Sequence, residues 1–348
     1  MHVGTHKNIC SDLKIHETPM KKIEKHKYLG DIICSSGNNI ENINERSKIG
    51  FQAISQIKSF LKDVQLGSYS IQVELILRES LFISKILLNS EVWHSVTKFQ
   101  IEKLEMVDKI LLRHALNAHS KTGIEWLFAD TGSLSLKSLI QVRRLMYLWH
   151  ILSRNEDELI YRIYKSQSNT SSVGDWVRLV SEDKNELSIE LTDTDIQGVS
   201  KNVFKNFVMK KVKRNHIEVL NTLKRKHSKS SNLDCKEVKM AEYLQDSRFS
   251  TKMKQLLFRL RSRTLDVKQN FKNINQNPWC ISCGLFAESQ GHILQCPEIT
   301  KHLSYLKGRT SKLDENDIYR SLEKQLEITK IYSDLLEIRE KLTRNELK

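Results

Sequence analysis

The chain has 348 residues, 39% of them hydrophobic, and carries a formal net charge of +14 at pH 7. A chain of this length can form two domains, each with a real hydrophobic core. The excess of Lys and Arg favours an anionic partner over a neutral one. No uninterrupted apolar run approaches about 18 residues, which argues against a membrane-spanning helix.

The first residues are polar and lack the basic-then-apolar pattern of a secretory leader. We therefore expect an intracellular protein, in the nucleus, the cytoplasm or both, with no membrane partner. Six cysteines in a chain of this size do not suggest a disulfide framework. Of these, Cys10, Cys34 and Cys235 are expected to be buried or idle thiols.

A mainly α fold is predicted, because three prolines and twelve glycines are too few turn formers for an all-β protein of this length. Near the start, residues 27–34 read as a short strand followed by a turn at 35–39. Beyond Ile40 the apolar period becomes helical. The sequence then predicts a helix from residue 40, a break at Gly67, a buried helix over 71–88, a helix from a capping box at Thr97 and Gln100 to about Asn117, and further helices over 124–129, 136–152 and 317–342.

The domain divisions follow changes in composition. Residues 166–174 form a polar stretch with no apolar residue for seven positions, and we expect a linker there. The divisions expected from the sequence are a hairpin over 1–39, a helical bundle over 40–165, the linker, a helical basic region over 175–272, a small metal-binding segment over 273–300 and a C-terminal helical region over 301–348.

Residues 201–272 of the basic region have a net charge equal to the excess of the whole protein. Residues 201–272 contain 20 Lys and Arg against 6 acidic residues. A solvated helix face usually mixes both signs, so such an imbalance points to phosphate as the target. The candidate phosphate contacts are Lys210, Lys211, Lys213, Arg214, Lys224, Arg225, Lys226, Arg259, Arg261 and Arg263.

The pattern C-x2-C-x8-H-x3-C, formed by Cys280, Cys283, His292 and Cys296, is typical of a tetrahedral zinc site. A glycine directly after the cysteine pair, Gly284, permits the backbone to curl around an ion. With four protein ligands no position is left open for water, so a structural Zn2+ is expected. The alternative is that one or two of these cysteines are small core residues and His292 lies on the surface.

The strand Lys27–Ile33, with Arg46, Lys48 and Gly50 after it, resembles the end of the palm and the start of the thumb in non-LTR retrotransposon reverse transcriptases. Segments 77–81, 89–93, 120–125 and 143–148 and the Cys/His segment resemble the C-terminal part of the same polyproteins. The resemblance implies that Tyr28, Leu29 and Gly30 belong to a primer-grip hairpin, that 40–152 forms a thumb-like bundle, and that the zinc knuckle aids binding of RNA, DNA or their hybrid.

The chain departs from that family at the catalytic centre. These polymerases hold two metal ions with aspartates that include an adjacent pair, and no Asp-Asp pair occurs in this chain. The resemblance thus implies a non-enzymatic fragment that is truncated upstream and has no catalytic residues. An upstream reverse transcriptase polypeptide is a candidate partner, and the sequence leaves open whether the chain acts with it. Two other interpretations stay open: the translation of a decayed element without present function, and a helical module that binds an acidic protein.

Overall fold

A computed structural model describes residues 14–16, 18–19, 23–64, 69–170, 175–271, 277–303, 305 and 314–344. The fold is mainly α, as the turn-poor sequence predicts, with short antiparallel strands near the N-terminus. Gly67 and residues 171–174 of the predicted linker lie outside the described residues.

The strands form two small antiparallel pairs. Strand β1 (Lys14–Ile15) pairs with β2 (Thr18–Pro19), and β3 (Lys25–Tyr28) pairs with β4 (Asp31–Cys34). The prediction of one strand over 27–34 was wrong in this detail. The chain reverses at Leu29 and Gly30, whose φ angles of 46° and 91° suit a tight hairpin turn.

The remaining elements are helical. In chain order they are α1 (Ile40–Asp63), α2 (Ser70–Leu77), a π-helical turn (Arg78–Ile83), α3 (Ser84–Ile86), a 3₁₀ turn (Ser90–Val92), α4 (Lys98–Ala115), α5 (Ile124–Thr131), α6 (Leu136–Leu152), α7 (Leu159–Thr170), α8 (Trp176–Glu186), α9 (Asp193–Gln197), α10 (Lys201–Lys226), a 3₁₀ turn (Ser228–Ser230), α11 (Glu242–Gln245), α12 (Thr251–Arg261), a 3₁₀ turn (Lys268–Phe271), α13 (Gln290–Gln295), α14 (Pro297–Thr300), a 3₁₀ turn (Glu315–Tyr319) and α15 (Leu322–Thr343).

The helix starts follow local capping chemistry. At α4 the Thr97 backbone N–H donates to Gln100 Oε1 at 2.9 Å, and the Gln100 N–H donates to Thr97 Oγ1 at 3.3 Å, which confirms the predicted capping box. Helix α6 has the predicted bounds and begins after Ser135, whose hydroxyl accepts from the Ser138 N–H. The last helix begins at Leu322 rather than Asp317, because residues 315–319 form a separate 3₁₀ turn.

The chain divides into two compact units. Unit 1 comprises Met1–Ser59, Leu77–Asp108 and Leu134–Glu218, and unit 2 comprises Phe60–Ile76, Lys109–Ser133 and Val219–Lys348. Four of the five boundaries between these units fall inside helices, at α1, α2, α4 and α10. Helix α7 runs to Thr170 and includes residues 166–170 of the predicted linker.

Unit 1 has a buried ion pair in its core. The Arg78 guanidinium donates to both carboxylate oxygens of Asp108 at 2.6 Å and to the Leu134 carbonyl at 3.1 Å, and neither charged side chain is exposed. Gly50 permits a close helix contact, since a Cβ there would lie 3.0 Å from Ile86 Cδ1. The predicted helix over 71–88 is interrupted by the π turn that begins at Arg78.

Unit 2 is built on α5, α12 and α15. Asp130 on α5 accepts from the Tyr243 hydroxyl at 2.7 Å and pairs with Arg261 on α12 at 3.4 Å. Apolar residues of α12 and α15, among them Leu257 and Leu335, are fully buried. Throughout the described ranges, no helix combines the length and the apolar character that crossing a membrane requires.

Candidate metal centre and nucleic-acid contacts

The first two metal-ligand candidates lie on a short hairpin of unit 2. Trp279 bridges to Ala287 in antiparallel fashion, and the Cys280 N–H donates to the Phe286 carbonyl at 2.7 Å. The loop between them contains Cys283 and Gly284. Main-chain pairing on both sides of the loop therefore holds the two sulfurs near each other.

Gly284 closes this loop in the left-handed region, at φ +67°. Its N–H donates to the Cys280 carbonyl at 2.9 Å. A Cβ at this position would meet nothing within 4 Å. The glycine is therefore required for its backbone conformation and not for space.

His292 lies in the first turn of α13, and Cys296 directly follows its last residue. The Ser289 hydroxyl accepts from the His292 N–H at 2.9 Å and so caps the start of this helix. Cys296 ends α13 and also precedes α14, whose first residue is Pro297. The capped start and the proline-marked end fix which residues of this short helix face the hairpin.

The four ligand atoms converge. Cys280 Sγ lies 3.8 Å from Cys296 Sγ, and Cys283 Sγ lies 3.4 Å from His292 Nε2. All four atoms lie within 4.8 Å of one another. Metal bonds of about 2.0 to 2.3 Å in a tetrahedron place ligand atoms roughly 3.5 to 4 Å apart. The sequence prediction of a Cys3His cluster is confirmed, and the cluster could hold a metal ion.

The electrostatics of the cluster favour a bound cation. Burial, with a smaller contribution from the charges of Cys280 and Cys283, raises the pKa of Cys296 to about 12, although a backbone hydrogen bond from Ile299 lowers it. Burial opposes ionisation of Cys283 as well, but backbone hydrogen bonds from Leu285 and Phe286 outweigh it and lower the pKa of this thiol. Several thiolates at such short separations repel one another, and a cation at the centre relieves that repulsion.

The imidazole is suited to the same role. Burial lowers the pKa of His292, against the opposing charge of Glu288, so the neutral form that ligates metals is favoured. Glu288 itself is fully buried and pairs with Arg339 of α15 at 2.9 Å. The Tyr332 hydroxyl donates to the Gln290 carbonyl at 3.1 Å. These contacts join the metal-binding segment to α15.

The basic candidates on α10 differ in exposure. Phe204, Val208 and Val212 are buried at four-residue spacing. Lys210, Lys213 and Arg214 fall on the opposite side of the helix and are exposed. Within the residues that the structure describes, none of these three cations forms a salt bridge.

The other α10 candidates are partly engaged. The Lys211 ammonium donates to the Ser188 carbonyl at 2.6 Å, and the Lys224 ammonium donates to the Leu233 carbonyl at 2.5 Å. Arg225 and Lys226 are exposed. Lys211 and Lys224 are therefore tied to local carbonyls, whereas Arg225 and Lys226 are accessible.

Arg261 must be removed from the predicted phosphate contacts. Its guanidinium pairs with the carboxylate of Asp130 and lies 5.4 to 5.8 Å from the ring centroids of Trp126, Tyr243 and Tyr319. It stabilises the core of unit 2. Arg259 is half-buried and burial lowers its pKa, whereas Arg263 is exposed.

Two of the three residues at the β3–β4 turn that are candidates for nucleic-acid contacts have exposed side chains. The Tyr28 and Leu29 side chains are 59% and 76% exposed and line a cavity of about 600 Å³ with Asn39 and Trp93. The Gly30 carbonyl accepts from the buried Arg46 guanidinium at 2.8 Å. The Gly30 backbone is thus fixed by a hydrogen bond from Arg46, whereas the side chains of Tyr28 and Leu29 are exposed to solvent.

Sequence reasoning missed a second polar cluster in unit 2. Glu125 is fully buried and accepts hydrogen bonds from His227 and Ser230. Its partners follow it by 102 and 105 residues. No motif spacing joins these positions, so only the tertiary fold reveals the cluster.

Comparisons with known protein families, with curated proteins and with solved structures find no match to this chain.

Proposed function

We propose that this chain is a nucleic-acid-binding protein without a polymerase catalytic centre, and that a structural zinc ion holds the metal-binding segment of unit 2. The observation that carries the proposal is the unpaired basic face of α10, formed by Lys210, Lys213 and Arg214. Three cations with no carboxylate partner within the described ranges favour an anionic polymer.

Zinc is the metal that the donor set favours. Thiolate and imidazole together suit Zn2+ rather than Ca2+ or Mg2+, which prefer oxygen. Cys280, Cys283, His292 and Cys296 would occupy all four tetrahedral positions. The ion would then stabilise the fold and leave no site for a reacting water.

Exposed rings beside the metal centre support single-stranded nucleic acid as the partner. Trp279 and Phe286 are 49% and 57% exposed on the hairpin that carries the first two cysteines. Aromatic side chains next to cationic ones are the usual platform for unpaired bases. The resemblance to the thumb and knuckle region of non-LTR reverse transcriptases is consistent with this partner, and we propose such an origin for the chain.

The test is a salt titration of RNA binding by a charge-neutralised variant. Lys210→Gln, Lys213→Gln and Arg214→Gln are combined, and affinity for a single-stranded RNA is measured by fluorescence anisotropy between about 50 and 200 mM salt. Each lost phosphate contact should lower the slope of log affinity against log salt by about 0.7, hence about 2 for the three.

The matched control removes the same charge from paired cations. Lys98, Arg154 and Arg178 are exposed, and each pairs with an exposed carboxylate four residues later. Changing all three to Gln should leave the slope near that of the wild type. Equal slopes for the two triple variants would refute the assignment of the α10 face. Preference for polyglutamate over RNA at matched charge would instead support an acidic protein partner.

A further inference from the structure

A cavity in unit 2 combines a cationic rim with a buried carboxylate. It has a volume of about 360 Å³, within the range of small-ligand sites. Lys121, Lys226 and His227 are exposed at its rim, whereas Lys229 is half-buried and donates its ammonium to the Asn270 carbonyl. Glu125 also lines the cavity, with no exposed surface.

Only one of the two carboxylate oxygens of Glu125 accepts hydrogen bonds. Its Oε1 accepts from His227 Nδ1 at 2.9 Å and from the Ser230 hydroxyl. Its Oε2 has no hydrogen-bond partner among the described residues, and neither does the indole N–H of Trp126, which lines the same cavity. Buried polar atoms are rarely left in this condition in folded proteins. Glu125 Oε2 is therefore a buried acceptor without a donor, beside the cavity that this residue lines.

The rim concentrates positive charge. The ammonium groups of Lys121 and Lys229 lie 5.7 and 5.1 Å from the centroid of the same Phe271 ring, and the tilted His119 ring has its centroid 4.2 Å from that of Phe271. Burial lowers the pKa of Lys229, and the charge of Lys121 lowers it further. An anionic group between these lysines would relieve their repulsion.

We propose that this cavity binds a ribonucleoside monophosphate, with the phosphate held by Lys121, Lys226 and Lys229 and a ribose hydroxyl donating to Glu125 Oε2. A carboxylate that accepts from ribose and cations that bind phosphate are the two requirements of nucleotide recognition. A free nucleotide and the 5′-phosphorylated end of an RNA present the same chemistry to this site, and the experiment below separates these two sources. The site goes beyond the proposed function and uses none of the α10 residues that carry it.

Calorimetric titration of the full chain tests the proposal with adenosine 5′-monophosphate and its 2′-deoxy counterpart. We expect the ribonucleotide to bind with a Kd of roughly 1 mM or tighter, and the deoxynucleotide about tenfold more weakly, because a hydrogen bond to a charged acceptor is lost. A 5′-phosphorylated tetraribonucleotide separates the two sources. Tighter binding of the oligomer than of the mononucleotide identifies an RNA end, and the reverse identifies a free nucleotide.

Two variants separate the roles of the carboxylate and the cations. Glu125→Gln should abolish the preference for ribose while leaving deoxynucleotide binding nearly unchanged. Lys229→Gln should weaken both nucleotides severalfold and preserve their ratio, whereas Lys330→Gln, which removes an exposed lysine of α15, should change neither.

Three results would overturn the proposal: no heat of binding at about 10 mM nucleotide, equal affinities for the ribose and deoxyribose forms, or equal effects of the Lys229 and Lys330 variants. The lysine comparison stands even if Glu125→Gln fails to fold. Because the RNA salt slope depends on other residues, these failures would leave the proposed function intact.

Discussion

Replacing Cys283 with serine removes one of the four ligands that converge in the metal-binding segment. A serine hydroxyl resists deprotonation and is a poor zinc ligand, whereas hydrogen bonds from Leu285 and Phe286 favour the Cys283 thiolate. Zinc binding at small structural sites supplies roughly 10 to 16 kcal/mol of apparent free energy. Shared among four ligands, this gives about 2.5 to 4 kcal/mol for one thiolate, or roughly 10² to 10³ in affinity.

The structural consequence should be local. Helices α13 and α14 have six and four residues, and helices this short are not stable alone in water. The contacts of α15 with this segment, from Tyr332 to Gln290 and from Arg339 to Glu288, involve none of the four ligands. We therefore expect Cys283→Ser to loosen residues 279–300 while α15 stays folded, which amide hydrogen exchange would detect.

The assay is a competition for zinc between the protein and a chromogenic chelator, combined with elemental analysis of purified protein. The wild type should hold one equivalent, and Cys283→Ser should lose it to the chelator. Cys235→Ser is the matched control, because Cys235 is a buried free thiol of the same unit that is not among the four ligands. Full retention of zinc by Cys283→Ser, or equal loss from Cys235→Ser, would show that the four residues are not the ligands.

Three further perturbations test the fold around the proposed sites. Asp108→Ala should lower the free energy of unfolding in urea by about 3 to 5 kcal/mol, because it leaves the buried Arg78 charge without a partner. The double variant with Arg78→Met should lose less stability than Asp108→Ala alone. A larger loss in the double variant would contradict this reasoning. Gly284→Ala should cost about 1 to 2 kcal/mol at φ +67°, whereas Gly198→Ala, at φ −71°, should be nearly neutral in thermal melts. Hydrogen bonds from Thr192, the N-cap of α9, lower the pKa of Asp195. The stability that this carboxylate contributes is therefore present above its unfolded pKa and is lost as pH falls through its folded pKa. NMR titration should show the lowered pKa, and an ordinary value would refute the capping box.

Elements whose determinants are local could be predicted from the sequence. The apolar period and the break before Leu136 gave the bounds of α6, and the Thr97–Gln100 pair gave the start of α4. The Cys3His cluster was predictable for the same reason, since its ligands lie within 17 residues. A tight turn and one short helix are sufficient to bring such ligands together.

Predictions failed where a distant partner decides the outcome. Arg261 belongs by composition to a run of basic residues, but Asp130, 131 residues upstream, draws it into the core of unit 2. The predicted helix over 71–88 contains a π turn that begins at Arg78, whose partner Asp108 lies 30 residues downstream. Charge counts along a sequence give the number of cations, and only tertiary pairing shows which of them remain available to phosphate.

The same reasoning explains why α10 and the Glu125 cavity call for different tests. The exposed α10 cations Lys210, Lys213 and Arg214 form no salt bridge among the described residues, so their contribution should be additive, weakly selective and strongly dependent on salt. In the cavity, a buried acceptor held by His227 and Ser230 has a fixed direction, so it should discriminate between ligands that differ by one hydroxyl. Salt dependence therefore tests the exposed face, whereas the ribose-to-deoxyribose ratio tests the cavity, and neither measurement can stand in for the other.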